Sequence, residues 1–398
     1  MTSAHLKIHP IIATCPACGL LCDDIVLENN RVTNTNCAKA VAFFAQKSEL
    51  NIPLIAEKPA TLQQAIAHAA KLLKKSKQPI FSGLGTDVAG FRSLNILAEK
   101  TNATLQHMNA KSMARNLIVL QSSGWQTTTL TEVKNRADVI VCFGDIATHN
   151  PRFFERFVDC DGMFVTAKNR QVIMFVNAEN NAHIKSDALE ASIYAAVRAV
   201  DLPSLTIALR ALVAGKALKA TAVAGVKVSD LQIVADKLKA AKYAVLAWVA
   251  KDFDFPHAEL AIQNITETVA ILNNTTRAAG LPLGGSDGDT STNYAHTWLK
   301  GTALQANIYA PSGAYDLQIF VNSFDANNMP QALDCPLIVL GNAPIKNAEV
   351  FIPTATPGLD CGGTLFRVDG AVSLPLKKVR EGNLPTLAEV VSEIEKLL

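Results

Sequence analysis

Cysteine is missing from Ala38 to Val141, although the 398-residue chain holds eight of them. Over that stretch no thiolate can ligate a soft metal. Clustered basic charge is missing too. Lys and Arg number 37 against 35 Asp and Glu, the formal net charge is +2, and no Lys/Arg-rich run of the kind that follows a phosphate backbone occurs. Nucleic acid is therefore not an expected partner. No apolar run approaches bilayer length, since the longest, such as Tyr243 to Ala250, reach less than half of it. Met1 to Pro10 carries no apolar signal-peptide core, so a cytoplasmic protein without a membrane partner is expected. P-loop, internal repeat and low-complexity tail are all absent.

What is present is a cysteine array near the start. Cys15, Cys18, Cys22 and Cys37 form a C-x2-C-x3-C-x14-C pattern, and in a reducing compartment thiolate ligands are favoured over disulfides. A metal site is expected there, ordinary buried thiols being the alternative. Three cysteines packed into one loop favour a [4Fe-4S] cluster on spacing alone. A closed four-cysteine zinc site needs only tetrahedral geometry and carries no redox liability. Cys142, Cys160, Cys335 and Cys361 lie far apart and read as core residues.

With 49% hydrophobic and 18% charged residues, the chain can bury two or three cores. Helix and strand patterns alternate. Pro59 to Lys77 reads as a helix capped by Thr61, with Leu62, Ile66, Ala69 and Leu73 on one side and lysines in its last turn. The run from Pro79 to Gly85 follows as a strand. Ala137–Gly144, Gln171–Asn177, Tyr243–Ala250, Glu267–Leu272, Leu317–Val321 and Pro336–Leu340 read as buried strands, with helices over 204–220 and after a Ser229 cap. Such alternation predicts doubly wound α/β domains. The expected division is a cysteine-rich module over 1–55, a first α/β domain over 56–165 plus 309–398, and an inserted second over 166–308. The Gly/Asp-rich stretch 280–292 is expected to be a functional or connecting loop.

Five ordered motifs carry a resemblance: Cys15–Asp24 (CPACGLLCDD), Leu130–Val141 (LTEVKNRADVIV), His149–Phe153 (HNPRF), Gly284–Gly288 (GGSDG) and Val350–Gly358 (VFIPTATPG). Together they resemble the B subunit of formylmethanofuran dehydrogenase, of the molybdopterin oxidoreductase superfamily. The resemblance implies an N-terminal [4Fe-4S] cluster and two α/β domains around a bis-pterin molybdenum or tungsten centre with a Cys or selenocysteine ligand. The region that would hold that ligand, His107 to Gly124, reads HMNAKSMARNLIVLQSSG and has no thiolate. Only Ser112 or Ser122, as a hydroxyl ligand, keeps a redox subunit open as the alternative. The chain is in this respect similar to the B subunit of bacterial formyltransferase/hydrolase complexes, in which the formate redox step is lost. This implies a structural subunit of one-carbon metabolism, without catalytic residues of its own. Its implied partners are a formyl hydrolase, a formyltransferase and a small C subunit, in a complex that handles formyltetrahydromethanopterin and holds methanofuran or methylofuran. No Mo/W pterin is expected, and zinc is expected over [4Fe-4S] at the cysteines, since no redox metal remains for a cluster to serve.

His149, Asn150 and Arg152 follow a strand end and could line a former pterin cleft; a turn at Asn150-Pro151 with Arg152 paired to Glu155 is the favoured alternative. Gly284, Gly285, Ser286, Asp287 and Gly288 could form a backbone nest for an anion. Asp287 and Asp289 would repel a phosphate there, which argues for a structural loop.

Overall fold

The structure is a computed structural model that describes residues 10–47, 51–176, 193–304 and 314–398. The chain forms two compact units, one from Met1–Ala110 with Gly285–Leu398 and the other from Lys111–Gly284.

In the first unit, five parallel strands lie in the order Val350–Pro353, Leu337–Gly341, Leu317–Asn322, Pro79–Gly85, Thr104–His107. Counted along the chain this is the doubly wound order 2-1-3-4-5, with its switch point between Pro79–Gly85 and Leu317–Asn322. A hairpin, Leu54–Ile55 with Lys58–Pro59, extends the sheet antiparallel to Val350–Pro353, turning through Ala56 and Glu57 at φ 46° and 62°. The helices Leu62–Lys75, Val88–Thr101 and Leu387–Lys396 cover one face. Leu387, Val390, Val391 and Ile394 sit at helical spacing and are all buried, each stabilising by roughly 1.5–3 kcal/mol as an upper bound. Thr61 closes a capping box with Gln64, as Thr386 does with Glu389. Phe320, Val339, Ala348 and Phe351 make a smaller cluster on the other face.

The cysteine array belongs to this unit. Ile11–Ala13, Ile25–Glu28 and Arg31–Val32 form an antiparallel meander, and the helix Ala38–Ala45 follows it. Asn29 and Asn30, at φ 51° and 61°, give the hairpin its two-residue turn, a conformation that asparagine tolerates well.

The second unit also holds five parallel strands, ordered Ile193–Ala196, Gln171–Val176, Val139–Phe143, Ala244–Val249, Ala278–Leu283. Along the chain that is 3-2-1-4-5, with the switch point between Val139–Phe143 and Ala244–Val249. Leu202–Val213, Val228–Ala240 and Glu259–Leu272 pack on a core centred on Trp248, whose indole N–H donates to Asn116 Oδ1 at 3.0 Å. Both units are α/β, as the alternation predicts.

Several elements differ from the sequence expectation. Glu267–Leu272 is the last part of the helix Glu259–Leu272, because a six-residue apolar run fits a deeply buried helix as well as a strand. Stretch 280–292 is a loop only between Leu283 and Asp289, with the strand Ala278–Leu283 before it and the helix Asp289–Lys300 after it. Pro282 is tolerated because this strand lies at the sheet edge, and Gly280 leaves room for Trp248, whose ring would lie 2.9 Å from a Cβ there. Lys227, not Ser229, is the cap residue before Val228–Ala240, and the helix expected over 204–220 spans Leu202–Val213. The unit boundaries fall at 111 and 284 instead of 166 and 308, because Val139–Phe143 pairs with Gln171–Val176 and Ala244–Val249.

Candidate functional site

Cys15, Cys18 and Cys22 are buried in one loop, closed by the Cys15 N–H to Cys22 O bond at 2.9 Å and by a turn in which Leu21 N–H donates to Cys18 O. Leu21 takes a positive φ of 45° there. Cys37 precedes the helix Ala38–Ala45 as its cap residue. All eight cysteines are thiols, none in a disulfide. Burial, then the neighbouring Cys18, and further Cys22 and Cys37, push the Cys15 thiol well above its ordinary range, so the four sulfurs feel one another. Four thiols in one module are a donor set of the kind a thiophilic metal takes. Among the described residues, no three His, Cys, Asp or Glu side chains stand in metal-holding geometry.

The cysteine loop packs on the Gly-Ser-Asp-Gly loop of the same unit. Gly19 N–H donates to Gly285 O at 2.5 Å, and a Cβ on Gly285 would meet Gly19 Cα at 2.5 Å, so glycine is required at this contact. Asp287 O and Gly288 lie against Gly85 and Thr86, at the carboxyl end of Pro79–Gly85. The loop thus covers the first unit's switch point. One of its backbone donors is met from within: Asp289 Oδ1 accepts from Ser286 N–H at 3.0 Å and also from Thr290 N–H at 2.6 Å, while Asn109 Nδ2 donates to Asp289 Oδ2. The carboxylate of Asp289, 4% exposed, thus lies at the N-terminus of this helix, where negative charge is favoured. In the sequence Asp289 reads only as a repulsive charge. Its position in the first turn of the next helix, where a carboxylate is favoured, is the signal of this role.

The second unit repeats the arrangement with different residues. His149 Nε2 lies 2.7 Å from Asp252 Oδ1, and Asp252 Oδ2 accepts the Asp145 N–H at 2.6 Å. These residues follow the carboxyl ends of Val139–Phe143 and Ala244–Val249, the two strands that flank the switch point. A Cβ on Gly144, at φ 89°, would stand 2.6 Å from Asp252 Oδ2, so the carboxylate fills the space between the strand ends. Nothing in the sequence singles out Asp252. It lies 103 residues from His149, and no local pattern links them. Arg152, 5% exposed, pairs with Glu155 through Nε to Oε2 at 3.0 Å and Nη2 to Oε1 at 2.5 Å, the pairing that turn chemistry favours. Asn150 Nδ2 donates to Gly284 O at 3.3 Å.

The thiol-free segment contains the helix Ala110–Ser123. Ser122 Oγ donates back to Val119 O at 3.3 Å in the same helix.

No family model matches the chain. It is 27% identical to the B subunit of tungsten-containing formylmethanofuran dehydrogenase 2 of Methanococcus maripaludis, over 96% of both chains. It is 26% identical to the protein of that name from Methanocaldococcus jannaschii, over 96% of this chain and 98% of the other. To the B subunit of the formyltransferase/hydrolase complex Fhc of Methylorubrum extorquens it is 26% identical, over 77% of this chain and 86% of the other. In fold it resembles a chain of the Methylorubrum extorquens FhcABCD complex crystallised with methylofuran, with a TM-score of 0.72 at 22% identity, covering 87% of this chain and 98% of that one. Acetylene hydratase from Pelobacter acetylenicus gives a TM-score of 0.70 at 10% identity, covering 97% of this chain and 68% of that one. In sequence the chain is thus similar to the B subunits of formylmethanofuran dehydrogenase and of the formyltransferase/hydrolase complex, and its fold is of the molybdopterin oxidoreductase type.

Proposed function

We propose that this chain is a redox-inactive structural subunit of a formyltransferase/hydrolase complex in one-carbon metabolism. The observation that carries the reading is the thiol-free stretch from Ala38 to Val141, which spans the segment where the resemblance implies a metal-ligating cysteine. Support comes from the two switch points, each taken by the chain's own polar groups: the loop 285–288 bonded to Asp289 in one unit and the His149–Asp252 pair in the other. On this reading Gly284, Gly285, Ser286, Asp287, Gly288, His149 and Arg152 mark former ligand crevices now closed by internal hydrogen bonds. The chain serves to organise a formyl hydrolase, a formyltransferase and a small C subunit, which act on a formyl group carried by methanofuran or methylofuran. A cytoplasmic location follows from that role. Among the described residues no helix is long and apolar enough to cross a membrane.

Cys15, Cys18, Cys22 and Cys37 would hold zinc, which supplies no redox chemistry and staples the meander to the helix Ala38–Ala45. The test is elemental analysis of the complex purified through this chain, with a viologen-dye assay on a formyl carrier. Stoichiometric zinc without Mo or W, and no dye reduction, is expected. Stoichiometric Mo or W would establish the redox alternative with Ser112 or Ser122 as a hydroxyl ligand, and a brown protein with iron would replace zinc by [4Fe-4S]. If the chain is a scaffold, expression without partners should give aggregated material, since obligate interfaces are large and apolar. A well-folded monomer at micromolar concentration would contradict the scaffold role.

A further inference from the structure

At the carboxyl end of the first unit's sheet, three buried side-chain atoms are without a hydrogen-bond partner: Ser323 Oγ, Asn342 Oδ1 and Thr354 Oγ1. Their positions are not scattered. Asn322 pairs with Gly341 and Gly341 with Pro353, so Ser323, Asn342 and Thr354 are the next residue on each of three adjacent parallel strands. The backbone ladder runs on through this row. Ser323 N–H donates to Gly85 O at 2.7 Å, Asn342 N–H to Asn322 O at 3.2 Å and Thr354 N–H to Gly341 O at 3.0 Å. Adjacent members of such a row are separated by roughly 4.8 Å, a distance that one molecule of water size bridges. Ser323 and Thr354 are 0% exposed.

An unmade hydrogen bond at one buried hydroxyl is a tolerable defect, but three in register at the end where open α/β sheets take ligands form a site. We propose that this row binds ordered water, or a neutral donor no larger than water. The chemistry of the row selects the ligand. Asn342 Nδ2 already donates to Gln46 Oε1 at 3.3 Å and to Ser323 O at 3.5 Å, which fixes the amide orientation and leaves Oδ1 in need of a donor. A fully ionised anion has no proton to give it. Neighbouring charge adds to this selection. Asp87 follows Thr86, which extends the row by one strand beyond Ser323, and Asp360 is bonded to the Thr356 N–H two residues after Thr354. Both carboxylates oppose an anion. Arg380 is already engaged by Asp360 through Nη2 to Oδ2 at 3.0 Å.

The sign of a thermal shift tests the proposal in the full-length protein, with whatever subunits co-purify. Were the row dry, Thr354→Val and Ser323→Ala would each remove an orphaned hydroxyl and leave the melting temperature unchanged or higher. With a bound water each variant removes one of its partners, and a fall of about 2 °C or more is expected. A crystal structure at high resolution gives the independent reading. A single-oxygen peak within hydrogen-bond distance of at least two of the three atoms is expected. Featureless density at the row, an anion in it, or a melting temperature unchanged or raised in both variants would overturn the proposal.

Discussion

Replacing Asp289 by alanine should strip the acceptor from the loop that covers the first unit's switch point. In the native chain this carboxylate accepts from the N–H groups of Ser286 and Thr290 and from Asn109 Nδ2. The Ser286 and Thr290 N–H groups lose this acceptor at once and Asn109 Nδ2 keeps its 3.2 Å bond to Ser286 Oγ, in a site where Asp289 is 4% exposed. An unmet buried donor costs roughly 1–3 kcal/mol, and bonds to a charged acceptor lie toward the upper end. Because the loop can relax and admit water, the expected loss is about 3–5 kcal/mol rather than the full sum. For a unit of this size that corresponds to a fall of roughly 6–20 °C in the melting transition, read by differential scanning fluorimetry or calorimetry. Asp289→Asn, which keeps one acceptor, should recover part of the loss. The alanine variant should also gain a property the native chain lacks. With the internal carboxylate gone, the N-terminus of Asp289–Lys300 offers its N–H groups to an external anion, so sulfate at about 10 mM should raise the melting temperature of Asp289→Ala more than that of the native protein. At this concentration general salting-out effects are small. An Asp289→Ala protein within ~0.5 kcal/mol of the native one, or equal response of both to sulfate, would refute the view that Asp289 stands in for a bound anion.

Arg170, buried, donates to the carbonyls of Val133, Ala137 and Cys160 at 2.8, 2.9 and 3.3 Å and also to Lys134 O; Arg170→Met should cost roughly 3 kcal/mol or more in chemical denaturation. Side-chain hydrogen bonds from Lys111 and then Arg115 hold the Asp254 carboxyl below its ordinary value of 3.8. Its contribution is therefore fully present above that value and lost as pH falls through the lower folded value; the stability gap between native protein and Asp254→Asn should close on acidification, and a gap that widens would contradict the pairing. Burial pushes the Cys142 thiol up to about 12, so at pH 8 only about one molecule in ten thousand carries the thiolate. Iodoacetamide should leave it unmodified in the native state, with mass spectrometry showing alkylation only after unfolding. Cys18→Ala should loosen the first ~50 residues by several kcal/mol, since metal binding couples to folding; an equally protease-resistant N-terminus in that variant would exclude a structural metal.

The strands that can be located from sequence are those buried on both faces, such as Ala244–Val249 and Leu317–Asn322, because a parallel sheet covered by helices demands continuous apolar runs. The same demand explains the failures. Glu259–Leu272 is buried so thoroughly, at Ala261, Ile262, Ile265, Val269 and Leu272, that its last turns lose the polar face that marks a helix. Ala278–Leu283 carries Gly280 and Pro282, residues that signal a break unless it is known that the strand lies at an edge and beside Trp248. Local pattern also cannot assign a strand to a sheet. Val139–Phe143 and Pro79–Gly85 have the same character, yet each opens a different doubly wound unit, and only the pairing with Ala244–Val249 moves the boundary to 111.

The residues at the two switch points pose a harder problem, because on the proposed reading they stand where a ligand would. His149 is visible in the sequence as a polar residue after a strand, but its orientation depends on Asp252 Oδ1, supplied 103 positions later from the end of the strand across the switch point. Ser286 and Gly288 are visible as a nest, but Asp289, one residue beyond the motif, fills it. In an open α/β sheet the carboxyl ends of the strands expose backbone donors and polar side chains that must be satisfied by something. A ligand can do so, and so can a carboxylate from the chain itself. Sequence alone registers the same loop in both cases, so the distinction between a ligand-binding chain and a structural one rests on a few acceptors such as Asp289 and Asp252, whose partners are fixed only by the fold.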